Sequence, residues 1–226
     1  MAEYDIDGLI LSVPDAMLNE RIAAKLASGG YEAQEARAVR MRLRAGQRVL
    51  ELGAGIGYIT CLCARITGVG NVTTVEANPA MLPVIRANLD RNGAGAVTLL
   101  YGAVAGMAGG DAPIGFDTSR TFWAARLADQ DTAPEAVADV PRLGLGDLFE
   151  TCRPDVVIMD IEGAEAHLFD ASWPGFVRTV IVELHPGRYP DTVIRRIVDC
   201  MSQSGLTYDP GPSCGRVLGF RRLRGK

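Results

Sequence analysis

From Arg48 onward, short apolar runs alternate with helical patterns. "RVLEL", "NVTTVEA", "AVTLLYGAV", "DVVIMD" and "TVIVEL" are almost continuously apolar, and apolar positions between them recur at three- and four-residue spacing. Runs of this kind suit strands buried on both faces of a parallel sheet, with helices as the covering layers. The first strand runs into "GAGIG", a flexible turn, and Ile59, Leu62, Cys63 and Ile66 then mark one face of a helix. Asn78-Pro79 reads as the cap and first-turn proline of the next helix, which Asn92-Gly93 ends.

Upstream, Met17 or Leu18, Ile22 and Leu26 are spaced as in a helix over residues 15–28, which Gly29-Gly30 stops, and a second helix is expected over 33–43. Together they predict an N-terminal helical lid within residues 1–46. Between strands three and four lies an insertion, residues 105–152, in which "PIGFD", "TFWAARL" and "VADVPRL" are candidate extra strands. Phe122 and Trp123 are expected to line an acceptor pocket there. A last helix over 191–204 should turn Ile194, Ile197, Val198 and Met201 inward, and "LTYDP" and "GRVLGFRRL" then form a closing pair of strands. Residues 1–226 read as one α/β domain without a repeat or linker.

Composition narrows the class. Hydrophobic residues make up 48% and charged residues 22% of the 226, as in a globular protein with a core. The net charge of -4 and the dispersal of the arginines, apart from Arg221, Arg222 and Arg224, argue against a nucleic-acid partner. Five cysteines without a C-x-x-C pair argue against a disulfide framework and a structural zinc site, and imply a reducing compartment. The acidic N-terminus does not resemble a secretory leader, and no apolar run approaches the ~20 residues that span a bilayer. A cytoplasmic location is therefore expected. Nothing in the pattern fixes the oligomeric state.

Two segments carry candidate chemistry. In "ELGAGIG" glycines stand at 53, 55 and 57, whereas the dinucleotide fingerprint would place its third glycine at position 58, here Tyr58. That disfavours a nicotinamide oxidoreductase. The spacing after an acidic strand end fits S-adenosylmethionine, whose carboxylate suits a helix N-terminus and whose ammonium seeks a carboxylate such as Glu51. Glu76, at the end of strand two, stands where an acid accepts from both ribose hydroxyls.

The second segment is "VVIMDIEGAEAHLF", where an apolar strand runs into Asp160, Glu162 and Glu165. Ligands of doubly wound sheets bind beyond the carboxyl ends of the strands, so Asp160 should face the cleft as a general base, with His185, after strand five, as second candidate. Asp160, Glu162 and His185, with Glu183, are also candidate ligands for Mg²⁺. Glu165 is assigned to the start of the following helix, where an acid complements the dipole. His167, Cys61 and Cys63 are read as surface or packing residues.

"LELGAGIGYIT", "VEANP" and "VVIMDIEGAEAHLF" followed by "VIVELHP" resemble the FkbM family of S-adenosylmethionine-dependent methyltransferases. The resemblance implies a class I methyltransferase (Rossmann-like) fold, a doubly wound, mostly parallel seven-stranded sheet with one reversed strand near an edge and helices on both faces. It implies cofactor contacts at Gly53, Gly55 and Glu76, with Gly102 and Ala103 beside the adenine, and an approach to the cofactor by Tyr31 and Glu32. The family's lysine two residues before the motif aspartate is here Ile158, and its "L-D-x-L" segment is here "LGDLF". The function expected is O-methylation of a hydroxyl on a small or sugar-like acceptor, the alternative being a nucleoside-binding module without chemistry.

Overall fold

The computed structural model describes residues 1–118 and 125–223. Phe122, Trp123 and Arg224 lie outside them. The chain opens with a hairpin, β1 (Ala2–Ile6) and β2 (Leu9–Val13), followed by α1 (Glu20–Ala27) and α2 (Ala33–Arg42). Next come β3 (Val49–Leu52), α3 (Tyr58–Thr67), β4 (Val72–Glu76), α4 (Leu82–Arg91) and β5 (Thr98–Tyr101). Four strands follow, β6 (Ala103–Val104), β7 (Gly110–Asp117), β8 (Arg126–Leu127) and β9 (Val137–Leu143), and then α5 (Leu145–Cys152). The chain closes with β10 (Val156–Met159), β11 (Thr179–Glu183), α6 (Asp191–Gln203), β12 (Leu206–Tyr208) and β13 (Val217–Arg222).

The main sheet has seven strands in the order β12-β13-β11-β10-β3-β4-β5. The five from β11 to β5 are parallel, and β13 runs antiparallel to both its neighbours. This is the class I methyltransferase fold, with the parallel strands that the apolar runs predicted and the one reversed strand near an edge that the resemblance implied. Strand order reverses between β3 and β10, and a ligand crevice opens at such a switch point.

Alternation along β3 divides the core. Val49 packs under the hairpin and α2–α4, whereas Leu50 and Leu52 pack with α5, α6, Phe169 and Trp173 on the other face. Among the described residues no helix is long and apolar enough to cross a membrane.

Several expectations needed correcting. The first 13 residues are a hairpin rather than part of a helical lid; Asp7-Gly8 makes its turn, a short-range signal that was legible in "YDIDGLIL". It is held to α4 by Asn88 and Asn92, whose Oδ1 atoms accept from Ser12 N at 2.7 Å and Ile10 N at 2.9 Å. Asn78 caps a turn, accepting from Ala80 N at 3.1 Å, and α4 itself begins at Leu82. The run "AVTLLYGAV" is split at Gly102 between the main sheet and a four-stranded sheet of order β6-β9-β7-β8. α3 is buried on nearly every side, so its stripe was only part of its packed surface. In α6 the buried residues are Ile197, Cys200 and Met201, and Val198 is 41% exposed.

Candidate active site

A cavity of about 840 Å³ opens at the carboxyl ends of the parallel strands. Its floor is built from Gly53, Gly55, Glu76, Gly102, Ala103 and Asp160, and residues from α1 and the α1–α2 turn close one side. Five of the six candidate cofactor residues therefore meet in one place.

The glycine loop owes its composition to two close approaches. Gly53 has φ +89°, and a Cβ there would stand 1.9 Å from the backbone oxygen of Asp160. The ladder between β3 and β10 forces this contact, since Asp160 N donates to Leu52 O at 3.0 Å. At Gly55, φ +57°, a Cβ would meet the Tyr31 hydroxyl at 3.0 Å and Glu32 Oε1 at 3.2 Å. Tyr31 and Glu32 thus sit over the loop, and the Tyr31 hydroxyl donates to the Glu32 carboxylate. Burial and the neighbouring Glu32 charge push the Tyr31 hydroxyl well above its usual range.

Glu76 holds the loop in shape. Its Oε2 accepts from Ala54 N and Gly55 N, both at 3.1 Å, and its Oε1 accepts from Asn78 N at 2.7 Å. Burial raises its pKa, and these backbone N–H groups oppose the rise.

Glu51 is placed elsewhere. It is 1% exposed, faces away from the cavity and accepts from Thr60 Oγ1. The strand's alternation decides this: Glu51 points to the same face as Val49, under α3. Burial pushes its carboxyl up to about 7, against the pull of the Thr60 hydrogen bond. Between pH 4.5 and about 7 the folded chain therefore binds a proton that the unfolded chain has released, so stability falls as pH rises through that window. Glu51→Gln is expected to remove this slope and to stabilise the chain at pH 8 by on the order of 3 kcal/mol, read from urea denaturation at pH 5 and pH 8.

At the ends of β10 and β11 the acids form a file leading inward from the cavity. Asp160 lines the cavity, and its Oδ1 lies 3.4 Å from Nε2 of His185. His185 is 4% exposed and stands behind the cavity wall, with Nδ1 donating to Glu165 Oε1 at 3.1 Å. Glu165 is fully buried and also accepts from Ile161 N at 3.1 Å. The helix-dipole reading of Glu165 is thus corrected: only a short turn, Ala164–His167, forms there, and the carboxylate fixes His185. Glu162, at φ +52°, turns its Oε2 to within 3.6 Å of His185 Nε2 and 3.8 Å of Arg188.

Burial and neighbouring charge raise Asp160 and Glu162. Burial first, and then the charges of Glu183, Glu162, Glu32 and Glu165, hold the Asp160 carboxyl well above the usual range. Burial works against protonation of His185, but the Glu165 hydrogen bond and the nearby carboxylates outweigh it and hold the imidazole above its ordinary value. Glu35, Glu183, Arg188 and Arg216 also line the cavity, and Arg216 pairs with Glu183 Oε1 at 2.6 Å. Glu35 was legible as an acid on the buried face of α2, whereas nothing in "GRVLGF" marks Arg216.

Residues 31–120 match the family model for protein-L-isoaspartate(D-aspartate) O-methyltransferase (PCMT). The match takes in less than half of the chain. It holds the glycine loop, Glu76 and Gly102, and stops short of Asp160 and His185. A curated protein-L-isoaspartate O-methyltransferase of Methanococcoides burtonii is 36% identical over 62 residues, 27% of this chain and 30% of that protein. The similarity thus spans under a third of the relative's length.

Among solved structures, an O-methyltransferase from Bacillus cereus in complex with SAH is 14% identical over 95% of this chain and 93% of its own, with TM-score 0.47. Precorrin-6y C5,15-methyltransferase from Geobacter metallireducens GS-15 is 14% identical over 93% and 91%, also with TM-score 0.47.

Proposed function

We propose that the chain is an S-adenosylmethionine-dependent O-methyltransferase acting on a hydroxyl of a small or sugar-like acceptor. The observation that carries this reading is the convergence of Gly53, Gly55, Glu76 and Gly102 with Asp160 on one cavity at the switch point. The family-model match over the same glycine loop supports the cofactor half of it. The segment "DIEGAE", outside that match, supports FkbM-like chemistry at the acceptor end.

The residues fit the cofactor. Gly53 and Gly55 of the loop line the cavity, Tyr31 and Glu32 cover them, and the acidic lining suits a ligand with a sulfonium and an ammonium group. S-adenosylmethionine supplies the methyl group, activated for displacement by the positive sulfur. The acceptor oxygen forms a bond to the methyl carbon as the carbon–sulfur bond breaks, and the sulfur keeps the electron pair. Asp160 is the carboxylate placed to take the acceptor's proton. His185, held by Glu165, lies behind Asp160 and acts through it as a positioning residue.

The matched family's printed name points instead to a carboxylate of a protein as acceptor. Glu32, Glu35, Asp160, Glu162 and Glu183 line the same cavity, beside Arg188 and Arg216, and a carboxylate acceptor drawn close to Asp160 meets like charge there. A neutral hydroxyl meets no such penalty.

The test is calorimetric titration with S-adenosylhomocysteine, with NAD as control, followed by transfer of labelled methyl to a panel of polyols and to an isoaspartyl peptide. Micromolar S-adenosylhomocysteine binding without NAD binding, and methylated polyol, are expected. Methylated peptide alone would reverse the acceptor assignment. In the same titration Glu76→Gln is expected to bind S-adenosylhomocysteine more than about tenfold more weakly, because the amide NH₂ then faces backbone N–H donors.

A further inference from the structure

We propose that Asp160, Glu183 and His185 form a binding site for a first-row divalent cation of the Mn²⁺ or Zn²⁺ type. One donor atom from each of the three lies within 4.8 Å of the other two. Two features of the surroundings point to a ligand rather than to chance acidity.

The first is the state of His185. Its side chain is 5% exposed, and its Nδ1 proton is committed to the fully buried Glu165. An imidazole fixed in this way by a carboxylate turns its other nitrogen outward as a donor to a metal, the usual outer arrangement of metal-bound histidines. Here Nε2 is aimed into the cluster, with the nearest oxygens at 3.4 Å on Asp160 and 3.6 Å on Glu162.

The second is Asp160 Oδ1. This atom is buried and has no hydrogen-bond partner among the described residues, although Nε2 is only 3.4 Å away. The two atoms are close without being hydrogen-bonded to each other. Donors around an ion with bonds of about 2.1 Å stand about 3.0–3.4 Å apart at octahedral to tetrahedral angles, and about 4.2 Å apart when opposite. Asp160 Oδ1 and His185 Nε2, 3.4 Å apart, stand at such a separation, and the Glu183 carboxylate lies within 4.8 Å of both residues' donor atoms.

The donor types select the ion. An imidazole with two carboxylates suits Mn²⁺, Fe²⁺ or Zn²⁺, whereas Mg²⁺ favours oxygen donors and its own waters. Glu183 also pairs with Arg216, a residue 61% exposed at the side chain, so one carboxylate oxygen is shared with the surface. Ligation through the buried Oδ1 leaves the other oxygen of Asp160 for the acceptor. Binding of the ion does not depend on the methyltransferase reading; its use in the reaction does.

The experiment is titration of the full chain with MnCl₂, following loss of the free Mn²⁺ signal by electron paramagnetic resonance, beside S-adenosylhomocysteine calorimetry on the same preparations. One saturable Mn²⁺ per chain in the micromolar range is expected. Asp160→Asn and His185→Gln should each weaken it by more than about tenfold, and Glu165→Gln, which touches no ion, by about tenfold. S-adenosylhomocysteine binding in the variants shows that they are folded. Absence of saturable Mn²⁺ binding below about 1 mM, or binding that Asp160→Asn and His185→Gln leave unchanged, overturns the site. Mn²⁺ binding without S-adenosylhomocysteine binding would keep the site and sink the cofactor reading.

Discussion

Gly53→Ala is expected to destabilise the chain by about 3 kcal/mol or more and to abolish S-adenosylhomocysteine binding. A methyl group at this position would stand 1.9 Å from the Asp160 backbone oxygen and 3.0 Å from its carbonyl carbon. Neither is the end of a flexible side chain, so relief requires β3 and β10 to part at their carboxyl ends, where Asp160 N bonds Leu52 O and Gly53 N bonds Val75 O. The φ of +89° adds strain for any residue with a side chain. Urea denaturation measures the first effect and calorimetry the second. A variant with near-native stability would show that the strand ends are looser than the ladder implies. Gly53 thus links the two halves of the site: the close packing that forces glycine here also sets where Asp160 enters the cavity.

Asp160→Asn is expected to lower methyl transfer by on the order of 10² to 10⁴ while leaving S-adenosylhomocysteine binding within a few-fold. The same change should make the chain more stable at neutral and higher pH. The folded state holds the Asp160 carboxyl well above its usual range, through burial and through Glu183, Glu162, Glu32 and Glu165. A raised acid favours folding while it is protonated and loses that contribution as pH rises through its folded value. An amide of the same shape cannot ionise, so the penalty disappears. In the wild type, activity should rise with pH as this carboxyl ionises. Lost activity with gained thermal stability marks a group kept for chemistry; loss of both would mark Asp160 as structural.

Much of the scaffold was legible because it depends on local periodicity. Apolar runs named the five parallel strands, the glycine loop and Glu76 marked one side of the crevice, and "DIEGAE" marked the other. The misreadings came from features whose meaning is not local. Glu51 stands at the end of a strand in the sequence, but its direction follows the register of β3 within the sheet, which turns it under α3. Glu165 looked like an acid at a helix start, and only the approach of β11 shows its carboxylate beneath His185. The hairpin at residues 2–13 was within reach of the Asp-Gly signal, yet its role depends on Asn88 and Asn92, far along the chain.

By itself the sequence determined the five parallel strands and the helices between them, because backbone propensity and side-chain period act over a few residues. Tertiary structure decided which carboxylates converge. Glu32, Glu35, Asp160, Glu162 and Glu183 come from three separate segments and meet at one cavity because strand order reverses between β3 and β10. The shared burial of Glu32, Glu35, Asp160 and Glu162, and so their raised proton affinity, is a property of that meeting rather than of any one residue.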